Sequence, residues 1–133
     1  PISTVGRYGQ GTTLCIISYA NGLWMSLRVA KKLEQQGIAC TVIDLRWLNP
    51  IPEEELLSIT AEMKNILVVD ECRKTGGISE ALLCLLAEQY RDGQKCSRIC
   101  GVDTYIPLGA AANLVLIQED DIEAAALELL EKT

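Results

Sequence analysis

Apolar residues in this chain follow two rhythms. Blocks at 13–20, 38–45, 65–71 and 97–102 are rich in apolar and β-branched residues and too short for helices. Such blocks predict strands covered on both faces. Between them, apolar residues return every three or four positions, which predicts helices over 23–36, over 78–91 and beyond residue 120. In the first of these, Leu23, Leu27, Ala30 and Leu33 share a face flanked by Trp24, while Arg28, Lys31, Lys32 and Gln35 lie opposite. Gly37 suits the left-handed cap of that helix, with Ile38 as the apolar residue that follows.

The block 38–45 has only Thr41 and Asp44 as strongly polar members and runs out toward Asn49-Pro50. A residue before proline is pushed out of the helical region, so the chain leaves this strand extended and turns. Pro52 then suits the first turn of a short helix. Glu53, Glu54 and Glu55 would follow where the helix dipole favours negative charge, as a solvated acidic start rather than a metal site. Ahead of the first buried strand, Ile2 and Val5 suggest a short edge strand over 2–5 before a glycine turn at Gly6, Gly9 and Gly11. Asn21-Gly22 reads as a turn, and Asp120 with Glu123 has the spacing of a capping box for the last helix. The order is β-β-α-β-α-β-α-β-α, which demands a mostly parallel α/β sheet with helices on both faces.

Composition narrows the class. The 133 residues suit one domain, and an apolar content of 49% excludes a disordered chain. No apolar run nears the ~18 residues of a membrane span. A net charge of −6 without a basic cluster disfavours nucleic acid and anionic membranes as partners. No basic, apolar leader is visible and the first residue is Pro1, so a domain excised from a longer polypeptide is expected. The six cysteines contain no C-x-x-C pair. Cys15, Cys40 and Cys100 fall inside strand blocks, and the set reads as small buried thiols in a reducing cytoplasm.

Candidate chemistry gathers at the C-terminal ends of the strands, where parallel sheets meet ligands and partners. Asp44, Asp70, Glu71 and Asp103 collect there. A magnesium-binding receiver site would need paired acids after the first core strand and a lysine after the last. Those positions hold Tyr19-Ala20-Asn21 and Val102-Asp103, so acids that satisfy loop amides or pair with Arg46 and Arg73 are expected instead. Gly76-Gly77 before the Ile78 helix offers amides to an anion but lacks the ending of a phosphate loop. The chain has no histidine, so neither a Ser-His-Asp nor a Cys-His centre can form within it. No catalytic, cofactor-binding or metal residue is assigned.

Five segments in order carry a family resemblance. They are residues 13–20 opening into Asn21-Gly22; Gly37-Ile38 leading to Val42-Ile43-Asp44-Leu45-Arg46; Leu48-x-Pro50-Ile51; Leu67-Val68-Val69-Asp70-Glu71 with Gly76-Gly77 and Glu80; and 98–101 leading through Asp103 to Ile106-Pro107-Leu108. The set resembles the C-terminal domain of the transketolase family, which includes transketolase, deoxyxylulose-phosphate synthase and the β-type chains of 2-oxo acid dehydrogenase E1 components. Asp70-Glu71-x-Arg73, Gly76-Gly77-x-Ser79-Glu80 and Ile106-Pro107-Leu108-Gly109 look most like the E1 branch. The resemblance implies a three-layer α/β/α sandwich whose five-strand sheet is mostly parallel, with an antiparallel N-terminal edge strand. It implies that the full enzyme uses thiamine diphosphate and magnesium to decarboxylate a 2-oxo acid and passes the acyl group to an E2 acyltransferase. The family's catalytic glutamate and histidine belong to preceding thiamine-binding domains and have no matching position here. Pro52 departs from the acidic cap usual in the family. The domain's implied role is assembly, as a homo-oligomer or an α2β2-type complex. A free-standing nucleotide-binding or regulatory module using the same sheet edge is the alternative from another class.

Trp47, Leu48 and Ile51 stand on a loop, and Leu83 and Ala87 lie off the main stripe of their helix. These five are the expected interface residues, covered by a second copy or by the preceding domain. Cys96 and Cys100 flank one strand about 13 Å apart, beyond the roughly 7 Å that a disulfide spans. Mass spectrometry of alkylated native protein is expected to find both as free thiols; a bridged peptide would contradict this.

Overall fold

The computed structural model describes residues 3–132. Five strands form one sheet: β1 (Gly6–Gly9), β2 (Leu14–Ser18), β3 (Cys40–Asp44), β4 (Asn65–Arg73) and β5 (Lys95–Gly101), in the spatial order β1-β3-β2-β4-β5. Four are parallel, and β1 runs antiparallel along β3. The helices are α1 (Ala20–Gln35), α2 (Glu53–Thr60), α3 (Ile78–Glu88) and α4 (Glu119–Glu131), with a 3-10 helix at Gly109–Leu114.

Alternation along each strand splits the core in two. Leu14, Ile16, Val42, Leu67 and Val69 face α1 and α4, where Val29, Leu33, Ile122 and Leu129 meet them. Cys15, Ile17, Ile43, Ile66 and Val68 face the other way, onto Leu56 of α2 and Leu82 and Leu86 of α3. Because the three inner strands β2, β3 and β4 are buried on both faces over most of their length, their apolar runs are nearly unbroken, and the fold expected from that pattern is the one found.

Several boundaries differ from expectation, each for a local reason. The edge strand is Gly6–Gly9 rather than 2–5; of the expected stretch, Ile2 lies outside the described residues. Val5 instead turns into the second core and donates its amide to Glu55 Oε2 at 2.7 Å. Of the glycines read as a turn, Gly6 and Gly9 are strand residues where side chains have no room, and Gly11 lies between β1 and β2. A Cβ on Gly9 would stand 2.5 Å from the Cys40 carbonyl oxygen, and Gly9 also has φ +87°. Asn21-Gly22 is not a separate turn but lies inside the first turn of α1. Helix α3 stops at Glu88, short of the expected 91.

The capping box of α4 sits two residues earlier than Asp120 and Glu123: Gln118 is the cap and the Asp121 carboxylate accepts the Gln118 amide at 2.8 Å. Ile117 and Ile122 both enter the first core, so they staple the helix start at that register. Expectations that do hold include Gly37, which caps α1 with φ +83°, and Glu53, Glu54 and Glu55, which fill the first turn of α2.

Gly11, between β1 and β2, has the tightest approach of the described glycines. A Cβ there would meet the Ala39 carbonyl carbon at 2.2 Å and the Cys40 nitrogen at 2.3 Å. Both are backbone atoms and cannot rotate away. Gly11→Ala is expected to lower the free energy of unfolding by about 1–3 kcal/mol, read from urea denaturation, with the far-ultraviolet spectrum unchanged.

Candidate functional site

Strands β2 and β4 are neighbours, yet the chain leaves β2 toward β3 on one side and leaves β4 toward β5 on the other. This reversal opens the crevice in which doubly wound sheets take ligands. Here the crevice is closed by the protein's own groups. Asp70, fully buried near the end of β4, accepts the Tyr19 hydroxyl at 2.6 Å, the Cys72 amide at 2.9 Å and the Ser79 amide at 3.0 Å. Burial pushes this carboxyl up, but the hydrogen bonds from Tyr19, Cys72 and Ser79 outweigh it and hold Asp70 below its ordinary value. Tyr19 is pushed upward by burial and by the carboxylate it donates to.

Other polar groups at this edge are also engaged. Asp103 accepts the Thr75 amide at 2.8 Å and its hydroxyl at 2.6 Å, which tie the β4–α3 loop to the segment after β5 and hold Asp103 below its usual range. Glu71 accepts from Asn21 at 3.0 Å, and Asp44 pairs with Arg46 at 3.3 Å. Among the described residues Arg73 pairs with no acid, contrary to expectation, because its Nε points into its own loop and donates to the Thr75 carbonyl at 3.0 Å. Arg98 reaches the Lys74 carbonyl and Ser79 Oγ.

At Gly76-Gly77 the protein's own carboxylates take amides that an anion would use. The Gly76 amide goes to Glu80 Oε2 and the Ser79 amide to Asp70, so protein carboxylates hold the start of α3. A Cβ on Gly77 would lie 2.9 Å from Asp70 Oδ2, which is why glycine stands there. Among the described residues no three Cys, Asp or Glu side chains converge to hold a metal ion. The Gly76 and Ser79 amides at this edge are thus already paired with carboxylates.

Burial pushes the thiols of Cys15 and Cys40 up to about 12 and about 11, so both stay protonated. Cys100 is only half-buried and Cys72, Cys84 and Cys96 are exposed, a correction to the expectation of buried thiols. Strand β5 lies at the sheet's edge, and that edge leaves its cysteines partly open.

The edge also leaves large apolar groups outward. Trp47 and Leu48 are more than one-third exposed, and Ile51 is half-buried against the second core. Leu83 is also half-buried there, and Ala87 is exposed on α3. The expected interface residues are thus only partly free, with Ile51 and Leu83 packed against the same core. A third and larger group escaped the sequence reading: Tyr105 and Leu108 are 96% and 95% exposed, with Val102, Ile106 and Leu114 also open. They form a strap from β5 to α4, and a cleft of about 270 Å³ runs between it and Cys72 and Arg73. Its signal was the density of apolar residues over 102–116 without strand or helix period.

The family profile of the transketolase C-terminal domain matches residues 5–122. This chain belongs to that family. It is 29% identical to the pyruvate dehydrogenase E1 component subunit beta of Staphylococcus aureus, over 92% of this chain and 38% of the relative. It is 35% identical to the 1-deoxy-D-xylulose-5-phosphate synthase of Nitratidesulfovibrio vulgaris, over 79% of this chain and 17% of that protein. A split-gene transketolase, solved as an inactive β4 tetramer, superposes with a TM-score of 0.84 at 23% identity, over 96% of this chain and 42% of that one. The transketolase C-terminal domain thus spans well under half the length of these relatives. No helix among its described residues is long and apolar enough to cross a membrane.

In this transketolase C-terminal domain, Asp70 sets an acid limit. Its lowered carboxyl contributes stability that is complete above the unfolded value of about 3.9 and is lost as pH falls through the lower folded value. Asp70→Asn leaves donors facing an amide and is expected to cost about 1–3 kcal/mol at pH 7. Its stability should then fall less than the wild type's between pH 5 and pH 2, about the window over which a paired carboxylate takes up its proton. Urea titrations across that range check both.

Proposed function

We propose that this domain is the C-terminal assembly domain of a thiamine diphosphate-dependent 2-oxo acid dehydrogenase, in its E1 component. The observation that carries this reading is the division of labour at the sheet's C-terminal edge. Its polar groups are spent on holding loops together, and its large apolar groups face outward. A catalytic or nucleotide-binding edge needs the opposite, free polar groups converging on a pocket. The Tyr19–Asp70 contact stands where a nucleotide would enter, which counts against a free-standing nucleotide-binding module.

The branch is supported by the pyruvate dehydrogenase β subunit among the relatives. In this reading thiamine diphosphate and magnesium belong to preceding domains of the full polypeptide, and the whole decarboxylates a 2-oxo acid and hands the acyl group to E2. The assembly is a homo-oligomer or of α2β2 type, in the cytoplasm. Trp47, Leu48, Ile51, Leu83 and Ala87 serve as contacts within it. A second reading, a deoxyxylulose-phosphate synthase parent, is favoured by the 35% identity over 107 residues.

The test compares the full polypeptide that carries this domain with the 133-residue chain. Both are given thiamine diphosphate, magnesium, pyruvate or branched 2-oxo acids, and an artificial electron acceptor. The full polypeptide, with any partner subunit, is expected to reduce the acceptor while the chain alone stays at the no-protein blank. Turnover by the chain alone would overturn the assembly reading. Formation of 1-deoxyxylulose 5-phosphate once glyceraldehyde 3-phosphate is added would select the second reading.

A further inference from the structure

The position of the N-terminal end gives the outward apolar edge an occupant. Strand β1 is antiparallel, so its first residue, Gly6, lies opposite Asp44, the last residue of β3. The chain therefore enters the domain at the C-terminal edge of the sheet, the edge that carries the Trp47 loop and the 102–116 strap. Its direction is fixed there. Glu55 holds the Val5 amide and Val5 is buried. Ser3 and Thr4 line a groove of about 490 Å³ with Ile51, Pro52 and Glu54.

Resting on the reading just given, that this is one domain of a longer polypeptide, we infer that the segment preceding it folds back onto this edge, seated on Trp47 and Leu48 at one end and on Tyr105, Ile106, Leu108 and Leu114 at the other. The size fits. The Trp47 loop follows β3 and the strap follows β5, at the far side of the sheet. Adjacent strands stand about 4.8 Å apart, so the whole edge from β1 to β5 is roughly 19 Å wide. One domain of ordinary size, roughly 30 Å across, covers it. There is chain enough as well: this domain accounts for 38% of the S. aureus relative and 42% of the split-gene transketolase chain.

The strap is also built to receive a partner. Asp103 ties its start to Thr75, the 3-10 helix at Gly109–Leu114 shapes its middle, and Ile117 anchors its end in the first core. Its apolar side chains are thus presented by a fixed backbone, which lowers the ordering cost of docking. Covalent attachment decides between occupants. A domain joined through Ser3 meets the edge at an effective concentration of order millimolar, far above that of a second copy in dilute solution.

Hydrogen–deuterium exchange tests this on the full polypeptide and on the 133-residue chain. In the full polypeptide the amides of 46–51 and 102–116 are expected to exchange roughly tenfold more slowly or better, with no dependence on protein concentration. The double substitution Tyr105→Asp and Leu108→Asp should abolish that protection and leave the melting temperature of the 133-residue chain unchanged, because both side chains face solvent there. Leu114→Asp provides an independent variant with the same expectation. Equal exchange in the two wild-type proteins overturns the inference, and so does protection that rises with concentration in the 133-residue chain, which would mark a second copy. Either result leaves the assembly reading to its own activity assay, whose failure would be seen as turnover by the 133-residue chain alone.

Discussion

The C-terminal edge of this sheet depends on the burial of one carboxylate. Asp70 is removed from water at the point where the chain reverses direction across the sheet. An ionised group there is tolerable only if its oxygens are fully bonded. Tyr19, Cys72 and Ser79 supply those bonds from the end of β2, from the tail of β4 and from the start of α3. The end of β2, 51 residues away in sequence, is thereby held against the β4–α3 connection by a single group. The same contacts fill the crevice at which the chain reverses across the sheet, so they tie the loops together at that point.

Much of this fold was legible because burial on both faces leaves a plain trace. Strands such as Leu14–Ser18 and Cys40–Asp44 are apolar almost throughout, and no helix of that length would be. Where the trace depends on local chemistry, reading was harder. Glycine carries both turn and close-approach meanings, and only the neighbouring backbone tells them apart. Gly6 and Gly9 read as a turn but lie in a strand, because Arg46 and the Cys40 carbonyl press on them. The cap of α4 was ambiguous because Gln118/Asp121 and Asp120/Glu123 have the same spacing; packing of Ile117 and Ile122 selects the first.

At the site, the edge and its acids were legible from strand ends, and so was their role toward loop amides. Individual partners were not. Whether Arg73 meets an acid or a carbonyl depends on how the short loop over 74–77 folds, and the sequence contains no rule for that. The strap was missed for the opposite reason. Apolar residues predict burial through their period, and 102–116 has none. Without a period, an apolar segment is indistinguishable from irregular core lining until its exposure is seen. Tyr105 and Leu108, almost wholly in water, mark it as surface.

These observations join in one physical picture. A domain that binds a small ligand at its sheet edge must keep polar groups unpaired there, and unpaired groups leave loops free to move. This edge does the reverse. Asp70, Asp103, Glu80 and Arg98 are all bonded into the 72–79 loop and its neighbours, which fixes the platform beneath the strap. A fixed platform with outward apolar groups is a poor pocket and a good docking face, because little ordering remains to oppose association. The polar interior of the edge and its apolar exterior are therefore two sides of one arrangement. Loosening the first, for instance at Asp70, would loosen the backbone that presents the second.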